Sequence, residues 1–212
     1  MSWLINNFNS FDNKIAIIHK DTSYTYKQLF NNIERIKKDV IKDKIDPGEV
    51  ISILSDCSFN VISLLLALYQ NKNIIVPIVT KIENEVNDRV KESFTSKSIS
   101  LNKNEFTINS HAIDNPHQMI KTLQNTNSSG LILFSSGSTG KPKAMIHNFD
   151  NLVNHYQNKK ERSINMILFL MFDHIGGLNT LLKILSIGAT IIIPENRNAD
   201  DICKLIQDYK IK

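Results

Sequence analysis

The sequence predicts an α/β fold of layered, parallel-rich sheets flanked by helices, and three observations carry that reading. Short apolar, β-branched runs alternate with longer stretches of three- and four-residue periodicity. The segment from Val50 to Val79 has the strand-helix-strand pattern of a βαβ unit. Finally, the apolar run Ile132–Phe134 leads straight into Ser-Ser-Gly-Ser-Thr-Gly-Lys-Pro-Lys (residues 135–143), the composition of an anion cradle fed by a buried strand.

Taken in order, Lys14–His19 is expected as a strand, Asp21-Thr22-Ser23 as a turn, and Tyr24–Tyr26 as a second short strand feeding a helix from Lys27. In that helix Leu29, Phe30, Ile33, Ile36, Val40 and Ile41 form one apolar stripe, and Pro47-Gly48 makes a turn after it. Val50–Leu54 and Ile74–Val79 are expected as buried strands around an apolar helix over Asn60–Tyr69. The middle, from Lys81 to Ser129, is weakly patterned, with apolar clusters at Ile99–Leu101 and Phe106–Ile108 and a helix over His117–Leu123. Beyond the Ser/Gly/Lys loop come a strand at Ala144–Ile146, a helix at Asp150–Tyr156, a strand at Asn165–Leu170, a helix from Gly177 to Ile187, a strand at Thr190–Ile193 and an amphipathic helix at Asp200–Tyr209.

With 212 residues and 42% hydrophobic content the chain can bury a substantial core. Its net charge of +4 comes from lysines scattered among acids rather than gathered on a stripe, which argues against a nucleic-acid partner. The longest apolar run, Val61–Tyr69, is too short to span a bilayer, and the amino terminus lacks a signal-peptide pattern, so no membrane role is expected. Cys57 and Cys203 lack metal spacing and suit reduced thiols in a cytoplasmic protein; no metal site is expected. Nothing in the sequence sets the oligomeric state.

The loop has the parts of a phosphate site: Gly137 and Gly140 permit turns that aim backbone N–H groups inward, Ser135, Ser136, Ser138 and Thr139 add hydroxyls, and Lys141 and Lys143 add charge. It is neither a Walker A loop, because two residues separate its glycines, nor a nucleophile elbow, because Ser136 stands where that motif needs glycine. A flexible Ser/Gly surface loop is the plainer alternative, but it would need neither a strand before it nor two lysines around Pro142.

This loop resembles the phosphate-binding signature of the adenylate-forming (AMP-binding) superfamily of acyl- and aryl-CoA synthetases, luciferases and peptide-synthetase adenylation domains. Further segments are similar to that superfamily in the same order: Tyr24-Thr25-Tyr26-Lys27-Gln28-Leu29, Pro47-Gly48-Glu49-Val50, Leu64–Pro77 with Asn71 in place of a glycine, Phe172-Asp173-His174-Ile175-Gly176-Gly177-Leu178, and Thr190–Pro194. Asn71 is expected to serve as a left-handed helix cap. The resemblance implies that Ser135, Ser136, Gly137, Ser138, Thr139, Gly140, Lys141 and Lys143 bind ATP phosphates and that His174, Gly176 and Gly177 position the acyl substrate. The alternative for Asp173-His174 is a simple helix cap. His147 fits no motif, and His19, His111, His117 and His155 are assigned no role.

What the resemblance further implies is an ATP-dependent ligase that converts a small-molecule carboxylic acid into acyl-AMP, with ATP and Mg2+ required and coenzyme A a second substrate. Residues 1–212 correspond to the amino-terminal portion of the superfamily's large domain. The superfamily's adenine, ribose and catalytic-lysine motifs do not occur in this sequence, so an incomplete large domain without the carboxy-terminal mobile domain is expected. No residue here is therefore assigned a catalytic role. A non-catalytic α/β phosphate-binding module, or an inactive truncated fragment, is the alternative.

Overall fold

A computed structural model describes residues 2–135 and 143–211. The chain opens with two single-turn helices, α1 (Trp3–Asn6) and α2 (Phe8–Phe11), whose Leu4, Ile5 and Phe8 are fully buried. Strands β1 (Ile15–His19) and β2 (Thr22–Thr25) form a hairpin, with Lys20 and Asp21 at positive φ in its turn. Helix α3 (Tyr26–Ile36) continues into a π-helical turn, Lys37–Ile41. Strand β3 (Val50–Leu54), helix α4 (Phe59–Gln70) and strand β4 (Ile74–Ile78) then make the expected parallel βαβ unit.

Helix α5 (Glu83–Glu92), the hairpin of β5 (Lys97–Asn102) and β6 (Glu105–Ser110), and helix α6 (Gln118–Asn125) fill the weakly patterned middle. After them come β7 (Gly130–Ser135), β8 (Lys143–Asn148), α7 (Phe149–Asn154), β9 (Asn165–Ile167), α8 (Ile175–Ser186), β10 (Thr190–Ile193) and α9 (Ala199–Asp208).

The strands form a six-stranded sheet ordered β6-β5-β3-β4-β7-β8 and a four-stranded sheet ordered β2-β1-β10-β9. Pairs inside each sheet are parallel, while β6, β8 and β2 are antiparallel edge strands. The predicted α/β class with layered, parallel-rich sheets is therefore what the chain adopts.

The two sheets share a core. Ile51, Ile53, Ile75, Leu131 and Leu133 of the six-stranded sheet and Ile17 and Ile191 of the four-stranded sheet belong to one buried cluster with α3, α4 and α8. Side chains alternate across a strand, so Val50, Ile74, Val76, Ile78, Ile132 and Phe134 face the opposite side, where Val90 of α5 and Ile120 and Leu123 of α6 cover them. Burial on both faces explains the continuous apolar runs in the sequence. Helix α4 is buried from Val61 to Tyr69, as suits a helix apolar all round.

Several local expectations change. Tyr26 is the first helical residue rather than the end of a strand. Thr25 caps α3: its hydroxyl accepts from Gln28 N at 3.1 Å, and the Gln28 side chain accepts from Thr25 N at 2.7 Å. That reciprocal capping box turns the chain one residue early and buries Tyr26, whose hydroxyl donates to Ala189 O at 2.7 Å. Asn71 is not left-handed either. Its φ is −76°, and Lys72 takes the left-handed position at φ 63°. Lys72 N–H donates to Tyr69 O and Asn73 N–H to Leu68 O, the two bonds of a Schellman ending. The amide of Asn71 instead bridges Ile45 O and Asn73. The Pro47-Gly48 turn forms as expected, with Gly48 at φ 82° and Glu49 N–H closing onto Asp46 O.

At the carboxyl ends of the strands an ion pair joins the sheets. Arg197, after β10, grips Asp56, after β3, through both terminal nitrogens at 2.9 and 3.1 Å, and its Nε donates to Phe169 O. Burial alone would raise the Asp56 carboxyl, but the Arg197 hydrogen bond, the Cys57 N–H and the charges of Arg197 and Lys81 outweigh it and hold it below the ordinary value. A depressed carboxylate contributes stability above its unfolded pKa and loses it as pH falls through the native one. Acid titration of the fold is therefore expected to show a destabilising step below the usual aspartate range that Asp56→Asn removes, read by denaturant midpoints across pH.

Gln70, the last residue of α4, keeps both amide atoms buried without a hydrogen-bond partner among the described residues. An unmet buried amide costs about 1–3 kcal/mol, so Gln70→Met is expected to raise stability by about 1 kcal/mol in urea unfolding.

Candidate functional site

The Ser/Gly/Lys loop joins two paired strands. β7 runs buried from Gly130 to Phe134 beside β4, and β8 returns antiparallel to it, with Ser135 opposite Lys143 as the last pair of the ladder. The residues predicted to cradle phosphate, Ser136, Gly137, Ser138, Thr139, Gly140 and Lys141, lie outside the described residues. Ser135 is half-buried and Lys143 exposed, side by side at the end of the sheet. A strand, β8, follows this loop, so its next described element offers no helix dipole to an anion.

The second candidate segment leads into α8. Phe172 and Asp173 are buried at 1% and 5% exposure, whereas the His174 side chain is 58% exposed. His174 occupies the N-cap position in an extended conformation, and its side chain makes no cap hydrogen bond. Asp173 does not cap α8 either: its Oδ2 accepts from Val79 N, just past β4, and from Arg89 Nη1, each at 3.4 Å. The helix-cap alternative thus has no hydrogen bond behind it. Its Oδ1 lies 3.7 Å from His174 Nε2 and has no hydrogen-bond partner among the described residues.

Arg89 is the residue that sequence reasoning missed. It lies on α5, ion-paired to Asp173, with its guanidinium carbon 5.5 Å from the centre of the Phe134 ring. Phe134 directly precedes Ser135, so one side chain touches both the entrance of the loop and the turn that carries His174. The segment Glu83–Glu92 offered only Val86 and Val90 as a helical signal, and nothing in it marked Arg89 among its other charges.

The two glycines differ. A Cβ on Gly177 would run into the backbone carbonyl of Met171, which gives this glycine a packing reason of its own. A Cβ on Gly176 would meet only the Leu170 Cδ1 atom, at 2.9 Å. No group of three or more His, Cys, Asp or Glu side chains among the described residues could hold a metal ion. No described helix is long and apolar enough to cross a membrane. The Cys57 thiol, buried, is pushed well above its ordinary value by desolvation, which leaves it a poor nucleophile.

Comparison with known proteins places this geometry. The model of the family described as "AMP-binding enzyme" matches residues 80–212. The chain belongs to the AMP-binding enzyme family. It is 20% identical over 99% of its length to a 2-succinylbenzoate–CoA ligase of Bacillus pumilus, of which it covers 47%. To a 2-succinylbenzoate–CoA ligase of Staphylococcus aureus it is 33% identical over 46% of this chain and 21% of that protein. The chain thus spans about half the length of the curated relatives that match it throughout.

Among solved structures, the N-terminal subdomain of Klebsiella oxytoca NpsA in complex with 3-hydroxyanthranilyl-AMSN superposes with a TM-score of 0.80 at 17% identity, covering 99% of this chain and 57% of that one. The o-succinylbenzoate CoA synthetase of Bacillus subtilis in complex with its acyl-adenylate intermediate superposes at 0.78 and 18% identity, covering 100% and 60%. At such identities the likeness establishes that this AMP-binding chain has their fold.

The backbone clash makes Gly177→Ala costly, by about 1–3 kcal/mol of overpacking strain. Gly176→Ala, against a rotatable leucine tip, is expected to melt close to the unsubstituted chain. Thermal unfolding of the two variants side by side checks the difference.

Proposed function

We propose that this AMP-binding chain carries the phosphate-binding and acyl-positioning part of an ATP-dependent ligase that activates a small carboxylic acid as an acyl-adenylate. The supporting observation is that Phe134, directly before the Ser135–Lys143 loop, and Asp173 of the Phe172–Leu178 turn, distant in sequence, both meet Arg89 at the carboxyl ends of parallel strands. Open α/β sheets take their ligands at that edge. In this reading residues 1–212 form the amino-terminal portion of the large domain.

In the reaction, a carboxylate oxygen of the substrate attacks the α-phosphorus of ATP. The new acyl–phosphate bond forms as the bond from the α-phosphorus to the bridging oxygen breaks, and that electron pair leaves with pyrophosphate. Negative charge therefore accumulates on the β- and γ-phosphate oxygens. Backbone N–H groups of Gly137 and Gly140, hydroxyls of Ser135, Ser136, Ser138 and Thr139, and the ammonium groups of Lys141 and Lys143 are the groups of this chain that would stabilise it. His174, with Gly176 and Gly177 letting the start of α8 pack closely against Leu170 and Met171, would hold the acyl end.

Magnesium favours phosphate oxygens and water over a dedicated protein cage. The described residues offer no carboxylate cluster for it, so no step is assigned to the ion here. The Bacillus and Staphylococcus relatives are named as CoA ligases, and coenzyme A is accordingly the acceptor we propose for the acyl group.

The decisive measurement is carboxylate-dependent exchange of pyrophosphate into ATP by the native gene product, across a panel of aryl and alkyl acids. Exchange with at least one acid is expected. Lys141→Ala is expected to lower it roughly 10²- to 10³-fold, as for loss of one preorganised oxyanion donor, and His174→Ala is expected to raise the KM for the acid while leaving that for ATP. Phosphate or ATP binding without exchange would favour the non-catalytic module instead.

A further inference from the structure

The Arg89–Asp173 pair is an unusual thing to bury. Asp173 is 5% exposed, yet it satisfies only one of its oxygens, and the Arg89 Nε is likewise buried without a partner among the described residues. Burying an ion pair with unmet groups is a poor way to gain stability, since desolvation takes back most of the attraction. What the pair does supply is position.

Arg89 is held by Asp173, by the Phe134 ring beneath its guanidinium and, at 4.0 Å, by Glu85 one turn earlier on α5. Asp173 is held in turn by Arg89 and by Val79 N–H at the end of β4. His174 follows it directly, makes no cap bond, and its Nε2 lies 3.7 Å from the Asp173 Oδ1, which has no hydrogen-bond partner among the described residues. The His174 imidazole thus stands 3.7 Å from a carboxylate that Arg89 holds, and Arg89 rests on Phe134, the residue before the 135–143 loop.

Building on the ligase function proposed above, we propose that Arg89 is a positioning residue which, through Asp173, keeps His174 in register with the entrance of the 135–143 loop while the acyl–phosphate bond forms. Its side chain does not touch substrate. Its effect belongs to the bond-forming step and not to ATP binding.

The test is pyrophosphate exchange by the native gene product with Arg89→Met, Arg89→Lys and Arg89→Met/Asp173→Asn, each checked for folding by circular dichroism at the assay temperature. Arg89→Met is expected to lower kcat roughly 10- to 100-fold, the scale of a small misalignment, with the KM for ATP unchanged. Arg89→Lys should recover part of that loss. The double variant should be no slower than the single one, because both changes break the same link.

Should Arg89→Met leave an unpaired buried carboxylate and fail to fold, Arg89→Lys and the charge-neutral double variant carry the comparison. Their wild-type kcat would overturn the role, as would Arg89→Met turning over at the wild-type rate or Arg89→Lys proving as slow as Arg89→Met. An unsubstituted protein that shows no carboxylate-dependent exchange overturns the ligase function and this role together, which separates the two failures.

Discussion

Everything in this architecture is arranged around α4. A helix with nine consecutive buried residues has no face to give to water, so it must be enclosed on all sides. One sheet cannot do that. β4 of the six-stranded sheet and α3 pack against α4, and its buried residues join those of both sheets in one continuous core. With α4 fixed, the strands on either side of it deliver their carboxyl ends to the same edge of the molecule. Ser135, Asp56, Arg197, Val79 and the turn at Asp173 all collect there.

The two edges of the six-stranded sheet are held in different ways. At the amino ends of its strands, the fully buried Asn73 donates to Asp46 O and Glu49 O, while its own carbonyl accepts from Gly130 N–H and the Ser129 hydroxyl. Asp150 adds Lys72 and Ser129 N–H to the same knot. Short bonds to backbone make that edge stiff. At the carboxyl edge the ties are ion pairs between long side chains, Arg197 with Asp56 and Arg89 with Asp173, the second of them at only 3.4 Å. Both kinds of tie hold their edge, and the residues of the candidate site lie at the second.

How much of this was legible in the sequence depends on what each residue has to do. Buried parallel strands announce themselves, because Val50–Leu54, Ile74–Ile78 and Ile132–Phe134 must be apolar on both faces, and α4 announces itself for the same reason. The existence of these elements and their α/β order were plain. Helix α5 was not, since it covers a sheet face with two valines and spends its other positions on charge. The start of α3 was misplaced because the Thr25–Gln28 capping box outweighed the strand-like Tyr-Thr-Tyr, and the left-handed position went to Lys72 because hydrogen bonds, not residue preference, decided it.

At the candidate site the composition of the loop could be read directly, and so could the turn bearing His174. That the loop spans a hairpin could not, because strand direction is fixed by the neighbours a strand meets. Nor could the joint through Arg89, a contact between residues far apart in the chain whose types are ordinary.

The pairing of β1 with β10 has a consequence for how the molecule comes into being. Ile17 lies against Ile191, so the second sheet joins two segments that lie far apart in the chain. At roughly 5–20 residues per second, a ribosome leaves the β1–β2 hairpin waiting on the order of ten seconds or more for its partner. Through that interval the apolar residues of β1, Ala16 and Ile17, have only their own hairpin and the early helices to shelter them. The six-stranded sheet, built from neighbouring stretches, can close first. The amino-terminal hairpin thus keeps one strand edge unpaired in the newborn chain until β10 is made.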